Sequence, residues 1–182
     1  MIPTAVLVTR GDVDLAPIVE SLPKEWPKFI WDNSQQHDYK VFGHFAALEH
    51  VLTDYVYFQD DDAICPAAEI LEAWDERRHG DLVFLNERDG ETPWISWGAI
   101  CRRDLPMRAI NWYVDMYGMS EDVLYWCDLI LTQLAPWENV DLQDRVRHLP
   151  QYRWPNRMVM QPGHYDEQAR IRTLCEPLKW RS

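Results

Sequence analysis

The sequence predicts an α/β fold: one domain with a mostly parallel sheet and helices on both faces. Three observations lead there. Short apolar, β-prone runs alternate with helix-like segments through residues 1–90. Polar clusters (TRGD, DNS and QDDD) follow three of those runs, and sheets of this kind bind ligands beyond the carboxyl ends of their strands. The chain of 182 residues carries no internal repeat and no low-complexity linker, and it is long enough to bury a sizeable core.

The elements follow in order. TAVLVT (4–9) reads as a buried strand. DLAPIVESL (14–22) reads as a short helix capped by Asp14. KFIWD (28–32) is a second strand that runs into the turn-prone DNS. Residues 40–52 place Val41, Phe45, Leu48 and Leu52 at helical spacing. DYVYFQ (54–59) is a third strand, PAAEILEAWDERR (66–78) a helix with Pro66 in its first turn, and DLVFLN (81–86) a fourth strand. WISWGAICRR (94–103) holds a further strand reached through a long loop. Residues 104–118 and 120–134 are helices, the second with Ser120 as N-cap. Residues 136–162 are rich in Pro and Arg and read as irregular chain or short strands, before a last helix over 164–174.

Composition narrows the class. Nearly half the residues are apolar, which marks a globular chain. No apolar run reaches the roughly 20 residues of a membrane span, and the first residues show no signal-peptide pattern. Cys65, Cys101, Cys127 and Cys175 are widely spaced without a CxxC pair, so free buried thiols and a cytoplasmic setting are expected over a structural zinc. The net charge of −12 is uneven. Residues 1–90 carry 7 basic and 18 acidic side chains, whereas residues 142–182 carry 8 basic and 4 acidic ones. That basic end, with Tyr152, Trp154 and Trp180 interleaved, suits a phosphate-bearing partner or an ordinary charged surface.

The chemistry concentrates in YVYFQDDDAICP (55–66). Three adjacent carboxylates at the end of a buried strand repel one another and lose hydration. A hard cation such as Mn²⁺ or Mg²⁺ would neutralise them and could share its ligands with substrate phosphates. A calcium loop is excluded by spacing, because alternating acids, the central Gly and the closing Glu are all missing. Capping of the helix after Pro66 accounts for one aspartate, or two.

A strand ending in DDD, after strands ending in TRGD and DNS, resembles the nucleotide-sugar glycosyltransferases of the GT-A type, whose sheet is Rossmann-like. The resemblance implies that Asp60, Asp61 and Asp62 form the DXD motif. Asp60 and Asp61 then lie on the donor, and Asp62, with Asp60, on a Mn²⁺ or Mg²⁺. Thr9, Arg10, Asp32 and Asn33 line the nucleotide site. SWGAICRR resembles the family's glycine-containing strand and puts Trp97 and Gly98 on the acceptor side. SED resembles its helix-opening motif, with Glu121 toward the acceptor and Asp122 as catalytic base of an inverting transfer. His164, in PGHYDEQARIR, falls where a late histidine completes the metal shell. Residues 1–90 become the nucleotide-sugar half and 91–182 the acceptor half.

Each landmark also has a plainer role: Glu121 and Asp122 suit a first helical turn, a lone histidine is ordinarily structural, and Trp94, Trp97, Trp112 and Trp126 are core material as well as sugar platforms. Arg170 and Arg172 suit either diphosphate oxygens or a solvated helix face. The expected donor is a nucleotide-sugar, UDP-linked by preference. The acceptor remains open among a glycan, a lipid-linked sugar, a protein, a small molecule and a hydroxylated base in phage DNA. A nucleotidyltransferase is the rival enzyme, poorly served by the single glycine of VTRGDVD, and a non-catalytic nucleotide-sugar-binding module is the rival of another class.

Overall fold

A computed structural model describes residues 1–77, 82–86 and 93–179. The proposed ends of the third helix (Arg78) and the fourth strand (Asp81), and Trp180, lie outside the described residues. Among them the chain forms a six-stranded sheet and a two-stranded one. The larger sheet orders its strands 2-1-3-6-5-7: β1 (Thr4–Thr9), β2 (Lys28–Asp32), β3 (Tyr55–Asp60), β5 (Val83–Leu85), β6 (Ala99–Arg102) and β7 (Trp137–Asn139). β1 pairs parallel with β2 and β3, and β5 parallel with β7, whereas β6 runs antiparallel between β3 and β5. This is the α/β, Rossmann-like class that the alternation predicts.

Both faces of the sheet are covered, and period-two alternation within the strands assigns each residue to its face. Val6, Val56, Phe58, Ala99 and Cys101 enter one core with α2 (Gly43–Ala46), α4 (Leu105–Tyr117), α5 (Glu121–Leu134) and α6 (His164–Cys175). Ala5, Leu7, Tyr57, Phe84 and Ile100 enter the other with α1 (Ala16–Ser21) and α3 (Ala67–Arg77). All four cysteines are free and buried. No helix among the described residues is long and apolar enough to cross a membrane.

β1 and β2 have the predicted bounds, and β3 is displaced by one residue. Four expectations are corrected. Residues 40–50 are not one helix but a short α-helix between two 3₁₀ turns, and Leu52 is 93% exposed, so the spacing overstated the apolar face. The cap position of α1 is Leu15; Asp14 instead accepts the N–H of Ala16, an Asx-type turn one step earlier. Ser120 holds the cap position of α5 but its hydroxyl makes no cap bond. The fourth predicted strand shrinks to β5, and β6 separates it from β3.

The reversal at β6 positions the site. Because β6 runs antiparallel to β3, it begins where β3 ends, and the Asp60 N–H donates to the Ser96 carbonyl at 3.0 Å. The turn needs Gly98, whose φ is +100° and whose missing Cβ would stand 2.6 Å from Ile70 Cδ1 and 2.9 Å from Tyr57 Oη. Gly98→Ala should therefore lower stability by about 1–3 kcal/mol, read as a lower urea midpoint with an unchanged slope.

Candidate functional site

The aspartate run leaves β3 at Asp60 and turns at once into the two-residue strand β4 (Ala63–Ile64). β4 pairs antiparallel with β8 (Arg147–His148), and the Leu149 N–H donates to the Asp62 carbonyl at 2.8 Å. A strap of two 3₁₀ turns, Pro150–Arg153 and Met158–Met160, then passes over the run.

The three aspartates have different environments. Asp61 is 4% exposed and its Oδ1 lies 2.7 Å from Nη1 of Arg157, itself 11% exposed. Gln151 Nε2 donates to the Asp61 carbonyl at 2.9 Å, and Arg157 Nε to the Gln151 carbonyl at 3.2 Å. Asp61 is thus the anchor of the strap. Asp60 keeps 37% of its side-chain surface open, yet protein surrounds it closely enough for burial to dominate its titration. A group on the floor of a concavity has both properties. Burial, then the Asp61 charge, pushes the Asp60 carboxyl up to about 6. Burial, then the Asp60 charge, pushes Asp62 up to about 7. Arg157 opposes both shifts without cancelling them. Asp60 and Asp62 are near enough to repel, which is the arrangement a divalent cation relieves.

Other predicted residues fall around this floor. Val8 lies opposite Asp60 across the parallel pair, so Thr9 and Arg10 leave the sheet beside the aspartates. Thr9 is buried and its hydroxyl accepts the Gly11 N–H at 3.1 Å. Arg10 reaches the strap, donating to the Asn156 carbonyl at 2.9 Å, and pairs with Asp12. Asp32 caps its own turn through Ser34, and Asn33 ties its loop to Trp31, Tyr39 and Lys40. Trp97, half-buried before Gly98, meets His148 edge-on at 5.0 Å, and His148 stacks on Tyr152 at 4.1 Å.

Two predicted members have partners of their own. His164 opens α6 among Trp126, Trp94 and Tyr165, and no group of three His, Cys, Asp or Glu ligands assembles among the described residues. His164 therefore does not join Asp60 and Asp62 in a ready shell; its ring packs against indoles instead. Asp122 is held by Arg170 through two contacts of 2.5 and 3.1 Å, and Tyr113 Oη donates to it at 3.3 Å. Arg170 also pairs with Glu167, so it is neither a diphosphate ligand in waiting nor simply solvated. Glu121 is exposed in the first turn of α5.

Three residues enter that sequence reasoning missed. Arg157 lies in irregular chain with no local signal. His44 is 1% exposed, with Nε2 3.7 Å from Asp60 Oδ1; burial pushes it down to about 4, so it is neutral. Asp128 did carry a signal, as a carboxylate inside the apolar run WCDLIL. α5 kinks at Trp126 (φ −126°), and Asp128 Oδ1 accepts the Leu129 N–H at 2.7 Å. Burial, with the Asp60 charge as a smaller contribution, pushes Asp128 up to about 7.

No protein-family model and no curated protein sequence matches the chain.

Two outcomes follow from these contacts. Arg157→Met should cost about 3–5 kcal/mol in urea unfolding, because it strands a buried charge. Adding Asp61→Asn should recover most of that loss, and a double-mutant cycle measures the coupling. Asp128 has a folded pKa above its unfolded value, so its carboxyl burdens the fold progressively as pH rises from about 4 to about 7. Asp128→Asn should raise the melting temperature at pH 8 and leave it nearly unchanged at pH 4.

Proposed function

We propose that the protein is a metal-dependent glycosyltransferase that moves a sugar from a nucleotide-sugar to an acceptor hydroxyl. The observation that carries this reading is the division of the aspartate run. Asp61 is consumed by Arg157, while Asp60 and Asp62 stand close enough to repel and, among the described residues, have no cationic side chain paired to them. Two carboxylates suit Mn²⁺ or Mg²⁺, which keep water or substrate phosphates for their remaining ligands. When bound, such a cation would stabilise the charge that develops on a departing diphosphate.

The chain's own residues supply the rest. Asp60 and Asp62 would hold the cation. The turn before β6 brings the Ser96 backbone against Asp60, with Trp97 next to it in the chain. A carboxylate on α5 takes the acceptor proton. Asp122 has that role in this reading, with Arg170 releasing one of the Asp122 oxygens as the acceptor enters. Asp128, deeper and within reach of the Asp60 charge, is its rival. Among acceptors, the surface beside Asp62 favours one that carries phosphate. Arg147 and Arg153 are exposed and unpaired among the described residues, next to the His148–Tyr152 stack. A nucleic acid offers both phosphates and stacking faces, and a steep loss of acceptor affinity with salt would distinguish it from a neutral glycan.

Melting temperature in the presence of UDP-, GDP- and dTDP-sugars, each with Mn²⁺ or with EDTA, tests the donor site. One nucleotide class should stabilise the protein with metal alone, and Asp62→Asn should abolish that shift. Slow donor hydrolysis with Mn²⁺ should accompany it; binding without hydrolysis indicates a binding module instead. Asp122→Asn should reduce transfer at least 100-fold with donor affinity nearly intact. Transfer that survives Asp122→Asn and fails in Asp128→Asn assigns the proton to Asp128.

A further inference from the structure

The large sheet ends at β2, and the hydrogen bonds of that strand show which of its backbone groups are open. The Ala5 N–H donates to the Pro27 carbonyl and the Asn33 N–H to the Thr9 carbonyl, in a parallel register that sets Ala5 beside Lys28, Leu7 beside Ile30 and Thr9 beside Asp32. Alternate residues of a strand turn their backbone groups to opposite sides. Phe29 and Trp31 therefore bond to β1, while Lys28, Ile30 and Asp32 face away from it. Asp32 is satisfied by its own turn: its N–H donates to Gln36 Oε1 at 3.2 Å, and its carbonyl accepts the N–H groups of Gln35 and Gln36. The N–H and carbonyl groups of Lys28 and Ile30 are left without a partner among the described residues. Proteins ordinarily blunt such an edge by brevity, a bulge, a proline or a projecting lysine. The opposite edge, β7, is three residues long, whereas β2 has five in unbroken register. Its lysine is drawn back, with Nζ donating to the Pro23 and Trp26 carbonyls. Apolar surface adjoins the edge as well. Ile30 is 39% exposed, His50 stacks on the half-buried Phe29 at 5.0 Å, and Leu52, two residues beyond His50, is 93% exposed.

We propose that β2 is a dimerisation edge, which pairs antiparallel with β2 of a second copy of the chain about a two-fold axis through Phe29. This register sets Lys28 of each copy opposite Ile30 of the other, and each such pair exchanges N–H···O bonds in both directions. Every open group of the edge is then satisfied and none is left over. Centring the pair on Ile30 instead would set Lys28 against Asp32, whose backbone groups are already taken. The chosen axis also makes Phe29 face Phe29, an aromatic cross-strand pair. Charge fits the same register. Lys28 Nζ leans onto the carbonyl of Trp26, the residue that comes opposite Asp32 of the other copy. A two-fold contact must be complementary to itself, and this edge is so in its donors, acceptors and charge, whereas a foreign strand would have to reproduce that spacing. The dimer is independent of the transferase reading.

Sedimentation velocity of the whole chain across micromolar concentrations tests this. The wild type should pass with concentration from the 21.7 kDa chain to twice that mass. Ile30→Lys creates two like-charge pairs with Lys28 in the dimer and should weaken association by about tenfold or more. Ile30→Glu creates two attractive pairs at the same places and should retain the dimer. Ile30→Pro removes an outward N–H without touching the ladder to β1, and should weaken association too. Amide exchange read by nuclear magnetic resonance separates lost pairing from lost folding. The Lys28 and Ile30 amides should be protected in the wild type and exchange fast in Ile30→Lys, while Phe29 and Trp31 stay protected in both. A wild type that is monomeric throughout overturns the proposal and leaves the edge to a foreign strand. A dimer that survives both Ile30→Lys and Ile30→Pro overturns it as well, by placing the contact on another surface. Equal weakening by Ile30→Lys and Ile30→Glu overturns the register through Phe29.

Discussion

Three consecutive carboxylates at the end of a buried strand pose an electrostatic problem that much of the fold around them addresses. The middle one is solved internally. Arg157 comes in from the strap to pair with Asp61 in a nearly dry environment, and Gln151 and Leu149 bind the backbone of the same run. A buried pair of this kind contributes little net stability against an apolar substitute. Its effect is placement: it draws residues 149–161 across the end of β3. The outer two aspartates are only partly compensated by Arg157, and burial and the neighbouring aspartates push their carboxyls upward.

The reversed strand β6 is the second element that the site depends on. In an all-parallel sheet, the segment before a strand enters at the end opposite the ligands. Running β6 backwards brings Ser96, Trp97 and Gly98 to the ligand end, against Asp60. The positive φ of Gly98 and the contact with Ile70 and Tyr57 show that the turn has no room for a side chain.

Helix α5 carries two carboxylates with opposite characters. Asp122 sits near its start, half-open and gripped by Arg170. Asp128 lies past the kink at Trp126, buried, and feels the Asp60 charge. A regular helix would not let a side-chain oxygen accept the N–H of the very next residue, as Asp128 does from Leu129. The kink is therefore the local cost of turning an acid inward, toward the side of the sheet where β3 ends.

Much of this was legible in the sequence. TAVLVT and KFIWD are short apolar, β-prone runs, a local property, and both strands lie where those runs place them. The aspartate run, the glycine before β6 and the helix opened by SED were visible as residue types in order. What the sequence could not reveal was partnership. Arg157 is 96 residues from Asp61, in chain with no periodicity, and nothing local distinguishes it from its neighbouring arginines. Likewise nothing local separates an Asp122 that faces a substrate from one held by Arg170, or a His164 near a cation from one packed on indoles. The order of the chain determined that acids would gather at a strand end. Only the tertiary structure decided which acid is paired and which two stand open, because that depends on which distant side chain the strap brings within reach.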